Sequence, residues 1–523
     1  MSESRINNSI KNSGSGLGLK GVQILANFVT RTVFIYLLGI QYTGISSLFT
    51  DILGVMSLME MGIGLAILYS LYKPLSENDY PKIAALMQFY KKTYRIIAVL
   101  ILATGAACIP LLEYIVKDVP DIKENIQIIF FMFVVNSAFS YLLIYKSTIL
   151  RAHQKSREID RIDIGVLLVK VVFQALLLFL FQEYMFFLFI EIIGTIVRNI
   201  LVSKRVDKLY PQIKEQEHAS GTLQKAERKK LFADVRALSL YRISVTMINS
   251  TDSIIISSFL GTSLVGKVSN YNLIVTGALK VITQIFSAIK PSIGNLAATS
   301  NKDKQYAIFN KLDFLAFFFA CFVSSMLFGL INPAIIVWIG EEYLLSLPVV
   351  MTIIANLYIA IMVLPPESFR TANGLFIHGK YRPLIMTILN IVLSLLLVIN
   401  FGVFGVLIAT VISRVLTQVW YDPYLVFSRV FQRGVKEYYI QYLIRTLVTI
   451  VCCALIYVLN TLFIRQWNIY TFLLSCLISA LIPCLAIVVL FHNSPIYRDL
   501  LKQLHSLWTK MIEKIKRKLK RSI

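Results

Sequence analysis

The chain has 523 residues, of which 57% are hydrophobic and 15% charged. A soluble domain of this length carries far more charge, so a water-soluble globular fold is excluded. The formal net charge of +23 raises the question of nucleic acid, but the charge lies in short segments between long apolar runs, so no nucleic-acid partner is expected and a membrane is.

Apolar runs of about 20 residues recur from end to end, each long enough to cross roughly 30 Å of hydrocarbon. In chain order they predict helices over 17–39, 43–70, 94–116, 126–149, 163–181 and 183–203. A polar connector follows at 204–238, then helices over 239–261, 266–294, 308–331, 343–364, 383–400 and 403–427, and a last pair over 438–460 and 469–491. The expectation is an all-α polytopic membrane protein of about 14 spans. Its parts are an N-lobe (1–203), a connector (204–238), a C-lobe (239–432), a helix pair (433–491) and a tail (492–523).

With the N-terminus inside, cytoplasmic segments hold about 38 Lys and Arg and external ones about 4, which sets both termini in the cytoplasm. The first helix lacks a cleavage-site pattern and follows a polar stretch, so a removable signal peptide is not expected. The six cysteines all fall inside predicted spans and read as small apolar packing residues.

An internal repeat recurs at an offset of 222 residues. Leu38-Gly39 with Gly44 and Ser47 matches Leu260-Gly261 with Gly266 and Ser269. In each copy the glycines fall at the turn of a helical hairpin, which needs positive φ or close packing. The repeat predicts two parallel six-helix lobes. In the tail, Leu500, Leu504, Leu507, Met511, Ile515 and Leu519 recur at helical spacing among Lys and Arg. This predicts a basic amphipathic helix lying on the anionic inner leaflet.

Ionisable groups in hydrocarbon cost several kcal/mol and normally face a cavity or one another. Lys20 and Arg31 share one face of the first span, and Asp51 and Glu60 lie on the second. The 222-residue offset relates Lys20 to Arg242, while Asp252, Lys280 and Lys290 lie on the seventh and eighth spans. Two readings stay open. Arg31–Asp51 and Lys20–Glu60 are structural salt bridges, or Lys20, Arg31, Arg242, Lys280 and Lys290 line an electropositive cavity for an anionic head group such as a pyrophosphate. Asp51, Glu60 and Asp252 are then available for ion coupling. Asp51 and Glu60, nine residues apart, lie on opposite faces of a straight helix, so at least one points elsewhere. Arg198 and Arg445 are expected to snorkel to the inner surface. Lys170 is undecided.

Gly261-Thr-Ser-Leu-Val-Gly266-Lys267 has Walker A spacing, but Val268 stands where a Ser or Thr must hold Mg²⁺, and the strand-to-helix context is missing. The five histidines form no metal-ligand spacing. No catalytic chemistry and no cofactor are expected.

Arg31-Thr-Val-Phe-Ile-Tyr-Leu-Leu-Gly39 followed by Tyr42-Thr-Gly-Ile-Ser-Ser-Leu-Phe49 resembles the Wzx-type polysaccharide flippases. So do Ser70-Leu-Tyr-Lys-Pro74, Phe89-Tyr-Lys-Lys-Thr-Tyr-Arg95, Ala152-His-Gln154, and Arg370-Thr-Ala-Asn-Gly-Leu-Phe376 with Gly379-Lys-Tyr-Arg-Pro383. The likeness runs from about residue 5 to 430. It implies the multidrug/oligosaccharidyl-lipid/polysaccharide (MOP) fold, with two six-helix lobes working by alternating access in a bacterial plasma membrane. It also implies an undecaprenyl-diphosphate-linked oligosaccharide as substrate, for capsule, exopolysaccharide or O-antigen, and a polysaccharide polymerase and glycosyltransferases as partners. A multidrug or cation exporter of the related MATE type and a lipid II flippase are the nearer alternatives. A glycan polymerase or ligase is the more distant one, because the external loops are too short for a catalytic domain.

Overall fold

A computed structural model describes residues 2–60, 63–117, 122–153, 155–216, 247, 250–299, 301–375, 379, 381–464 and 466–502. Among these the chain is helical, with no strand. The helices of nine residues or more are α1 (Ser2–Leu38), α2 (Ile40–Met56), α3 (Ile63–Glu77), α4 (Tyr80–Cys108), α5 (Ile126–Tyr141), α6 (Ile144–Ala152), α7 (Ser156–Phe181) and α8 (Tyr184–Leu209). They continue with α9 over 250–260, α10 (Thr262–Thr299), α11 (Lys302–Ile339), α12 (Leu347–Met362), α13 (Leu364–Ala372), α14 (Arg382–Arg414), α15 (Lys436–Phe463) and α16 (Ile469–Phe491). Connector residues 217–238 and tail residues 503–523 lie outside the described set, as does Arg242.

Among the described residues, ten helices are long and apolar enough to cross a membrane, and eleven if α5 and α6, bent by 44°, form one span. The protein is therefore a multi-pass membrane protein. The expectation of fourteen differs from this at three places. The span expected over 43–70 is interrupted: α2 passes through a 3₁₀ turn at Ser57–Glu60 before α3 begins. Most of 239–249 lies outside the described residues. The spans expected over 383–400 and 403–427 join in a run of 50 residues, Arg382–Phe431. That run would be about 75 Å long if straight, more than twice the hydrocarbon thickness. It is broken at Gly402, whose φ of 55° and ψ of −136° leave the helical region.

Contacts group the chain into two compact units, one of residues 1–273 with 380–413 and the other of 274–379 with 414–523. In the first unit α1 packs along α7, α7 along α8, and α5 between α4 and α8. Phe49 and Phe130 meet edge to face at 5.0 Å, both fully buried with Ile45, Leu48 and Val134. The bend between α5 and α6 leaves carbonyls without helical donors. The buried Asn199 amide on α8 serves those of Phe139, Ser140 and Leu142, at 3.0, 3.3 and 2.8 Å. In a membrane, freed backbone groups have to be satisfied in this way.

The repeat glycines have the physical roles their spacing required. Gly39 (φ 91°) and Gly261 (φ 94°) turn the corners between α1 and α2 and between α9 and α10. Gly44 and Gly266 pack against each other's helix. A Cβ on Gly44 would lie 2.0 Å from the Thr262 carbonyl oxygen, and one on Gly266 would lie 2.8 Å from that of Ile40. Gly44→Ala is expected to destabilise the protein by about 1–3 kcal/mol, because backbone has to move to admit the methyl group. The thermal unfolding midpoint in detergent should fall, whereas Gly21→Ala, which meets nothing within 4 Å, should not lower it.

In the second unit, α11 carries α15 and α16 along its length. Phe309, Phe369, Phe427, Phe431 and Tyr438 form an aromatic cluster at one end. Arg445, expected to snorkel, does not. It is buried on α15, paired with Asp313 of α11 and hydrogen-bonded to Gln441 at 3.1 Å. Its guanidinium faces the rings of Phe314 and Phe317. The carboxylate on the neighbouring helix decides where the charge goes.

Candidate functional site

The first unit holds a half-open cavity of about 550 Å³, lined by its own residues. Each helix contributes positions at three- and four-residue spacing, the signature of one helical face. α1 gives Asn27, Thr30, Arg31 and Phe34; α7 gives Leu167, Lys170, Val171 and Gln174; α8 gives Phe187, Leu188 and Glu191. α5 adds Asn136, Ser137 and Ser140, and α2 adds Ser46 and Thr50.

Among the described residues, three charged side chains line it: Arg31, Lys170 and Glu191. Lys170 Nζ lies 2.7 Å from Glu191 Oε1, and Gln174 Nε2 donates to Glu191 Oε2 at 2.9 Å. Arg31 is half-buried and its Nη1 donates to Ser269 Oγ at 3.4 Å. Thr195 Oγ1 donates to Asn136 Oδ1 at 2.8 Å, which ties α8 to α5 beside the cavity. Two cations against one carboxylate leave the described lining with a net positive charge.

The other residues singled out in the sequence are dispersed. Asp51, beside the lining residue Thr50, accepts a hydrogen bond from Ser253. No ion pair joins it to Arg31 among the described residues. Glu60, in the turn after α2, accepts from the hydroxyls of Tyr94 and Tyr141, and Tyr90 donates to Tyr94 at 3.0 Å. The two acids therefore have different surroundings, Asp51 on α2 and Glu60 in the 3₁₀ turn that follows it. Lys20 is half-buried on α1 and does not line the cavity. Asp252 on α9 accepts from Thr410 at 2.9 Å, and Asn390 donates to the same hydroxyl at 2.9 Å. In the second unit, Lys280 on α10 is exposed and Lys290 half-buried. Of the expected cations among the described residues, Arg31 is the one that lines this chamber.

The α7–α8 hairpin holds what the sequence reading missed. Lys170–Glu191 (2.7 Å), Arg198–Asp163 (2.9 Å) and Arg205–Glu158 (2.8 Å) form three successive ion pairs along it. Arg198 thus pairs across the hairpin rather than reaching for the surface. The signal was available: residues 170 and 191 share one midpoint with 163 and 198, at the corner where Gln182 turns left-handed (φ 50°). Glu191, Arg198 and Arg205 also recur every seven residues, which keeps them on one seam. Just outside the spans, His153 stacks on Tyr210 at 5.0 Å, and burial, with Lys155 nearby, lowers its pKa below the usual imidazole value. His153 thereby packs where α6 ends, against the end of α8.

Comparison with known proteins fits this architecture. The family described as "Polysaccharide biosynthesis protein" matches residues 9–297. None of the curated proteins compared with the chain matches it. Among solved structures, the chain is similar to the lipid II flippase MurJ in an inward closed conformation, with 14% identity and a TM-score of 0.64, covering 92% of this chain and 99% of that one. It is also similar to an inward-facing multidrug resistance MATE family transporter of the MOP superfamily (13% identity, TM-score 0.57, 77% and 95% covered). A third similar structure is the MATE multidrug transporter DinF-BH (17% identity, TM-score 0.55, 82% and 97% covered). At these identities the likeness is one of fold.

Proposed function

Because the chain belongs to the polysaccharide biosynthesis protein family, flippase-type membrane proteins with the fold of MOP transporters, we propose that it flips an undecaprenyl-diphosphate-linked oligosaccharide across a bacterial plasma membrane. The product serves capsule, exopolysaccharide or O-antigen assembly, and the motion is alternating access between two lobes. Both termini lie in the cytoplasm, by the distribution of Lys and Arg. A polymerase and glycosyltransferases are the partner enzymes, and the basic tail lies on the anionic leaflet.

The observation that carries this reading is Arg31. It is a guanidinium lining a half-open chamber, hydrogen-bonded to a hydroxyl rather than to a carboxylate. A cation held that way remains available to an anionic head group. The same positive chamber repels an organic cation, which disfavours the drug-exporter alternative. Lys20 and Arg242, related by the repeat, are proposed to supply further charge along the substrate's path, with Lys280 and Lys290.

Export of surface glycan by cells carrying Lys20→Gln/Arg242→Gln tests the proposal. Lipid-linked oligosaccharide should accumulate on the side of synthesis while the variant reaches the membrane in normal amount. Full export by a stable double variant would overturn the role of the repeat-related pair. Reporter fusions at residues 80 and 263 should read inside and outside, respectively.

A further inference from the structure

The chamber holds a second cation that is already occupied. Lys170 is bound to Glu191, and Glu191 is bound from its other oxygen by Gln174. Gln174 is itself anchored, its Nε2 also donating to the Phe187 carbonyl at 3.3 Å. The stem of Lys170 lies against Gly194, where an added Cβ would come within 2.9 Å of Lys170 Cδ. That packing aims the ammonium at the carboxylate one turn earlier on α8. Both partners are mostly buried, with side-chain exposures of 20% and 30%.

We propose that the Lys170–Glu191 pair is a specificity filter: Glu191 is an internal counter-ion that only a multiply charged head group, a diphosphate, displaces from Lys170. The inference rests on the reading that Arg31 receives the substrate's phosphate.

Arg31 by itself offers one cation, which a single phosphate matches. Every phospholipid around the protein carries such a group. Recruiting Lys170 requires breaking a charge-assisted hydrogen bond in a poorly solvated place, and a lone phosphate returns too little for that. A diphosphate carries a second anionic phosphoryl group that replaces the carboxylate at Lys170, so the cation never stands unpaired. Glu191 keeps its hydrogen bond to Gln174 meanwhile, which holds the carboxylate in place to recapture Lys170 when the head group leaves. The pair thus distinguishes a loaded diphosphate carrier from the bulk lipid, and it also supplies a competitor that helps release.

Binding of inorganic pyrophosphate and inorganic phosphate to the full-length protein in nanodiscs of zwitterionic lipid tests the filter. The wild type should prefer pyrophosphate. Glu191→Gln should narrow that preference by about tenfold, through tighter phosphate binding, because Lys170 is then free of its competitor. Lys170→Gln should weaken pyrophosphate binding more than phosphate binding, because pyrophosphate loses its second cation while the bared Glu191 carboxylate opposes both anions. An unchanged ratio in a folded Glu191→Gln protein overturns the proposal. If the single variants do not fold, Lys170→Met/Glu191→Met removes both charges together and leaves neither unpaired. That protein should bind the two anions alike, and retention of the wild-type preference would again refute the filter. Failure of the Arg31 reading looks different: Arg31→Gln would then leave pyrophosphate binding and export intact, whatever the ratio.

Discussion

Arg31→Gln, in protein that reaches the membrane in normal amount, is expected to lower glycan export on the order of tenfold to a hundredfold. A hydrogen bond to a charged group is worth roughly 1.5–3 kcal/mol, and each 1.4 kcal/mol is about a factor of ten. The neighbouring acid supplies the control. If Arg31 and Asp51 were only a structural pair, removing both charges in Arg31→Gln/Asp51→Asn would restore export, because nothing buried would be left unpaired. Arg31 instead donates to Ser269, and Asp51 accepts from Ser253. The double variant should therefore stay as inactive as Arg31→Gln. Recovery of export would return Arg31 to a structural role and remove it from the substrate path.

The second large effect is on stability. Arg445→Met strands the Asp313 carboxylate, whose side chain is 4% exposed. Breaking such a pair from one side costs about 3–5 kcal/mol. Membrane-extracted Arg445→Met should therefore unfold at a markedly lower temperature and accumulate poorly. Arg445→Met/Asp313→Leu fills the same seam between α15 and α11 without charge and should recover most of the loss. If the double variant is as unstable as the single one, the pair contributes packing that apolar side chains do not replace. Export by the recovered double variant should be normal, since the contacts of Arg445 fix α15 on α11.

The structure also explains why the first-span charges were easier to interpret than the later ones. Arg31 stood out because a charge in an apolar run is rare, whereas Lys20, on the same face, does not line the chamber. Lys170 stood in an equally apolar run. Its partner Glu191 lies across a hairpin corner, so the relation depends on where the chain turns. Gln182 adopts a left-handed conformation there, which no glycine in the sequence advertises.

The amino-acid sequence by itself determined the helical, membrane-spanning character, because hydropathy and backbone hydrogen bonding leave a chain in lipid few other choices. It also located the repeat corners, since positive φ at Gly39 and Gly261 and close approach at Gly44 and Gly266 are local demands on residue type. The tertiary structure alone decided which charges meet between elements distant in the chain. Arg445 reaches Asp313 across 132 residues of chain, and Glu60 turns to tyrosines 34 and 81 positions away. A buried charge takes the partner that packing brings nearest, and sequence spacing points to that partner only within one hairpin, as for Lys170 and Glu191.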